Sequence, residues 1–193
     1  MSNQTAGRER FVIQNGTPVL GGVFLSRLGI VVDTDTNPTF YNAMVNQVKG
    51  DLEIKEPEEN TPYDIAYSVH RLARVLTPLQ IPSYPRVLST MASVTGKKHL
   101  EPSDEFPLSA FIGGPCICHQ RTLLEASLLE LLKDEGVLGA EVDITTRWTQ
   151  PSEDHPDRHI QTLVNTGDTD INKIVLDAAF GIKKYDPSGR VIL

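Results

Sequence analysis

Both cysteines and three of the five histidines fall in two short stretches, Cys116-Ile117-Cys118-His119 and His155-Pro156-Asp157-Arg158-His159. Thiolate sulfur and imidazole nitrogen are the preferred donors for zinc, so this is where the chain's composition suits a metal. In an extended segment Cys116 and Cys118 would share one face and His119 would take the other. The spacing fits zinc poorly: paired zinc cysteines usually have roughly two to four residues between them, and Pro156 blocks a helical pair of histidines. Two small apolar thiols in a buried strand, with the histidines in a solvated loop, are the plainer expectation, and no metal or cofactor is assigned. A Cys–His nucleophile would also need a third group to orient its base, and nothing in the sequence identifies one.

Other chemistry has less to stand on. The chain contains no G-x-x-x-x-G-K-[ST], G-x-G-x-x-G or G-x-S-x-G string, and its carboxylates are scattered without a spacing that singles out a pair. The expectation is a protein that is not an enzyme. Charge is more informative. The net charge is −7, which argues against a whole surface built to grip nucleic acid. Residues 51–65 carry six acids against Lys55, whereas residues 66–100 carry none beside Arg71, Arg74, Arg86, Lys97 and Lys98. That stretch reads either as a solvated face neutralised by acids elsewhere in the fold or as a docking surface for an anionic partner.

The elements that must position these residues fit one domain, since 193 residues is an ordinary domain length and 39% are apolar. FVI at 11–13, PVLGGVF at 18–24 and LGIVV at 28–32 read as short strands or an arm, followed by a turn-rich joint at 33–38 and a strand or short helix beyond it. Thr61-Pro62-Tyr63-Asp64 caps a helix with Ile65, Ala66, Val69, Leu72, Ala73 and Leu76 inward, ended by Thr77-Pro78. A second helix spans Pro85 to Val94 and stops at Gly96. An irregular loop with a brief strand follows over 101–121, then a third helix capped by Thr122 and Glu125, with a leucine stripe as core. Residues 140–148 alternate as a half-buried strand, HIQTLVNT partners it, and Asp168 or Thr169 caps a fourth helix through Ile171, Ile174, Val175 and Ala178. GIKKY, the turn Asp186-Pro187-Ser188-Gly189 and RVIL close the chain as a hairpin. The expected fold class is α+β: a single domain with an antiparallel sheet packed on one side by several helices, an N-terminal arm over 1–49 and a globular core over 50–193.

The amino terminus lacks the apolar run of a signal peptide, and the stretch Phe11 to Val32 is too polar to span a membrane, so a reducing, cytosolic setting is expected and the sequons at Asn3 and Asn15 would be idle.

Four pieces together resemble the core of rhabdovirus matrix proteins: IVLDAAFGIKKYDPSGRVIL at 174–193, DLEIKEPEENTPYDIAYSV at 51–69, SYPRVLSTMASVTGKK at 83–98 and AEVDITTRW at 140–148. In that family the first corresponds to an amphipathic helix running into an F-G strand, a lysine pair, a turn and a last strand, and the second to a strand, a turn and a helix. The family's lysine-rich amino terminus and proline-rich budding motif have no counterpart here. The resemblance implies a virion structural protein that self-associates into a helical homopolymer through its amino-terminal arm. It further implies condensation of the viral nucleoprotein–RNA and attachment to the inner leaflet of the viral membrane or a glycoprotein tail, in the virion and the host cytoplasm, with host membranes or the nucleus as further sites. Arg71, Arg74, Arg86, Lys97 and Lys98 are the candidate nucleocapsid or anion contacts, and removal of residues 1–32 is expected to leave the core folded. The alternatives are a small zinc-dependent or Cys/His enzyme using Cys116, Cys118, His119, His155 and His159, and a viral connector or interaction module.

Overall fold

Thr61 begins the best-specified helix. Its hydroxyl accepts from the Asp64 amide, Asp64 reaches back to the Thr61 amide, and Pro62 fills the first helical position, where no amide is needed. The computed structural model describes residues 10–11, 18–20, 29–53, 60–78, 84–97, 99, 104–114, 116, 118–148 and 160–192. Its strands are β1 Arg10–Phe11, β2 Pro18–Leu20, β3 Gly29–Val31, β4 Glu105–Pro107, β5 Asp143–Trp148, β6 Ile160–Asn165, β7 Lys173–Asp177, β8 Gly181–Tyr185 and β9 Val191–Ile192. The helices are α1 Pro38–Glu53, α2 Pro62–Leu76, α3 Tyr84–Thr95 and α4 Cys118–Asp134, with a 3-10 turn at Leu108–Phe111.

The chain is an α+β domain. One sheet runs β1-β5-β6-β7-β8-β9 with every pair antiparallel, and α2 and α4 pack on one of its faces. Register shows which side chains meet the helices: Ile144 lies opposite Val164 and Val164 opposite Ile174, and all three join Leu123, Leu124, Leu128 and Val69 in one core. A second, three-stranded sheet sets β2 antiparallel to β3 and β3 parallel to β4.

Several expectations are revised. Residues 38–53, open between strand and short helix in the sequence, form one 16-residue helix, because Tyr41, Met44, Val45, Val48 and Leu52 recur on one face and all are buried. That helix runs through positions 49 and 50, so the folded unit begins ahead of the expected junction between arm and core. Ile30 and Val32 are also fully buried in the main core, so removing residues 1–32 would open it. The third helix starts at Cys118, four residues before its expected cap. Thr122 is therefore interior, its hydroxyl donating to Ile160 O at 3.1 Å, and Glu125 turns to His70. The expected fourth helix is strand β7: Asp168 folds a turn by accepting from the Asp170 and Ile171 amides, and Ile174, Val175 and Leu176 are buried on both faces between β6 and β8. The closing hairpin forms as read, with Asp186 Oδ1 accepting from Ser188 Oγ and the Arg190 amide and Gly189 at φ +83°.

Candidate functional site

The last turn of α2 leaves carbonyls with no helical partner, and Thr77 is where the chain deals with them. Its amide and hydroxyl both donate to Ala73 O, while its own carbonyl receives the guanidinium of Arg121 from α4. Arg121 is 4% exposed; its Nε also reaches Thr77 Oγ1 at 3.2 Å and its Nη1 reaches Ala178 O at 2.7 Å. One buried cation thus ties the negative end of α2 to the β7–β8 turn.

One turn further along α4, Glu125 is buried and accepts or shares a proton with His70 Nδ1 of α2 at 2.7 Å. Burial pushes the Glu125 carboxyl up from its usual range, opposed by the His70 hydrogen bond and the Arg121 charge. Burial likewise lowers the Arg121 pKa, with the Glu125 charge opposing and the like charge of Arg74 reinforcing. His70 Nε2 and Glu125 Oε2 have no hydrogen-bond partner among the described residues. His70, Arg74, Pro78 and Arg121 line a cavity of about 480 Å³ together with the turn residues Ala178 to Gly181. Phe180 stands at its edge, 48% exposed.

The five expected anion contacts fare differently. Arg71 pairs with Asp51 of α1 at 2.7 Å and Lys97 pairs with Asp104, so acids from outside the acid-free run neutralise both. Arg74 is exposed, lines the cavity, and has no ion pair among the described residues. Arg86 lies in α3 with its side chain outside the description, and Lys98 lies outside the described residues. His155 and His159 also lie outside them.

Cys116 is fully buried and donates to Phe111 O at 3.1 Å; burial pushes its thiol up to about 12. Cys118 heads α4 rather than sharing a strand face with Cys116, and burial raises its thiol as well. Its Sγ stands 3.8 Å from Nδ1 of His119, whose pKa burial lowers to about 3. Thiols held protonated at neutral pH are poor nucleophiles and poor metal ligands.

Sequence reasoning missed His70, Glu125, Arg121 and Phe180. His70 had a signal, since it sits four residues after Ala66 and three before Ala73 on the buried face of α2. Compared with known proteins, the chain matches no family profile, no curated protein and no solved structure.

Proposed function

We propose that this chain is a structural protein of the rhabdovirus matrix kind, which self-associates, gathers viral nucleoprotein–RNA and links it to the envelope. The observation that carries the reading is an open sheet edge. β9 has two residues and covers only Lys184 and Tyr185 of β8, so the side of Gly181 to Lys183 that faces away from β7, and the outer side of β9, have no strand partner among the described residues. Such an edge offers unpaired backbone groups to a second copy of the chain, and Val191, 51% exposed, adds an apolar contact there. Exposed Lys183 lies on the neighbouring strand β8.

Further support comes from the order of elements: the capped helix α2, helix α3, strand β5, and the Phe180-Gly181 strand with its lysine pair and closing hairpin. The departures are that residues 174–177 form a strand and 51–53 end a helix where the family pattern has the reverse. Arg74 is the leading contact to nucleoprotein–RNA, ahead of Arg71 and Lys97, which already have acidic partners. Association with a membrane or a glycoprotein tail belongs to the same proposal.

Concentrated protein at low salt is expected to form filaments or helical lattices in electron micrographs, and Val191→Glu to suppress them without lowering the thermal transition. Arg74→Glu should reduce salt-dependent co-sedimentation with nucleoprotein–RNA more than Arg71→Glu does. A chain that light scattering finds monomeric at every concentration and ionic strength would overturn the reading.

A further inference from the structure

The capping role of Arg121 leaves part of its chemistry unused. A guanidinium has five N–H donors, and the bonds to Thr77 and Ala178 engage Nε and one hydrogen on each Nη, which leaves one N–H on Nη1 and one on Nη2. Arg74 lines the same cavity, and its guanidinium has no ion pair among the described residues. Two like charges beside one another are costly unless something negative stands between them. Two buried acids beside this turn are engaged by other groups, one oxygen of Glu125 by His70, and Asp177 by the Ala179 and Phe180 amides and by Gln161. Neither acid lines the cavity.

His70 supplies the third group. It is 4% exposed, its ring is held through Nδ1 by Glu125, and its Nε2 has no hydrogen-bond partner among the described residues. A buried imidazole nitrogen without a hydrogen bond is disfavoured unless a ligand or water completes it. We propose that this cavity binds a phosphate group, held between the spare N–H donors of Arg121, the guanidinium of Arg74 and Nε2 of His70. Paired N–H groups on a planar guanidinium match two phosphate oxygens, and Nε2 can donate a proton to a third oxygen or accept one from it. A volume of about 480 Å³ lies within the range of small-ligand pockets and exceeds what a bare phosphate fills, so the phosphate is carried on an organic body that rests against Phe180. The inference depends on the cavity alone and does not require self-association.

Calorimetric titration of the full chain with inorganic phosphate and with uridine monophosphate tests it, against sodium chloride at matched ionic strength. Both phosphates are expected to bind, the nucleotide more tightly, and chloride is not. Arg74→Gln, at an exposed position whose loss leaves the fold intact, should weaken Kd by at least about tenfold, since charge-assisted hydrogen bonds are the strong ones. His70→Asn should weaken it as well, and Phe180→Ala should erase the advantage of the nucleotide. Competition by a single-stranded RNA oligonucleotide would place the phosphate in a polynucleotide backbone, and its failure to compete would place it in a free phosphorylated compound. Equal heats from chloride and phosphate, or a Kd unmoved by Arg74→Gln and His70→Asn, would overturn the proposal whether or not the chain forms filaments.

Discussion

At the scale of single residues, buried polar groups set the behaviour of the helical layer. His119 is 5% exposed and burial lowers its pKa to about 3, against an ordinary value near 6.5 for the unfolded chain. Below about pH 6.5 the unfolded chain therefore binds a proton that the folded chain refuses, and stability falls as pH drops from there toward 3. Glu125 works in the opposite direction: its raised pKa lets the folded state hold a proton that the unfolded state has lost. His119→Phe removes only the first effect. Urea denaturation at pH 7 and pH 5 should show the variant losing about 2 kcal/mol less than the wild type across that interval. An equal loss in both proteins would show that His119 is protonated in the folded state. Little of this was legible in the sequence. Thr122 and Glu125 stand at the spacing of a capping box, and only the third dimension reveals that they face Ile160 and His70.

Among elements, legibility followed local chemistry. The box at Thr61 and Asp64 needs only neighbouring residues, and α2 forms as read. Thr61→Ala should cost about 1 kcal/mol in chemical denaturation, the usual worth of such a cap, with Thr61→Ser retaining most of it. The same holds for β5, β6 and the closing hairpin, whose alternation and turn residues are local signals. Strand β7 was hidden because Ile171, Ile174, Val175 and Ala178 fit a helical stripe equally well. What decided it is the uninterrupted Ile174-Val175-Leu176, paired on both edges with β6 and β8 and packed under α2 and α4, helices distant in sequence. Helix α1 was obscured by Gly50 and by aromatic and β-branched residues that favour strands; burial of its one apolar face outweighs those preferences.

Taken as a whole, the molecule joins its amino-terminal strands to the rest of the domain. Asp33, just after β3, accepts from Tyr41 Oη at 2.6 Å and from the Ser109 amide at 3.1 Å, fastening β3, α1 and the 3-10 turn together. Burial, with the neighbouring Asp33 charge, raises the Tyr41 pKa, which keeps its hydroxyl a donor. Ile30→Ala should therefore lower stability by about 2–5 kcal/mol, as truncations in a packed core do. A change below about 0.5 kcal/mol, the usual range for surface positions, would mean that β3 is a detachable arm after all.

The pairing of β3 with residues 105–107 and of β1 with residues 146–147 also bears on how the chain matures at the ribosome. β5 through β9 form a meander in which each strand meets the one made just before it, so that sheet can zip as it emerges. β1 has no such neighbour, and β3, although it meets β2 at once, must wait for β4 on its other side. At roughly 5–20 residues per second, β1 waits on the order of ten seconds for its mate, with its edge uncovered. Nascent chains halted before residue 146 are thus the form of this protein most in need of a chaperone's shelter.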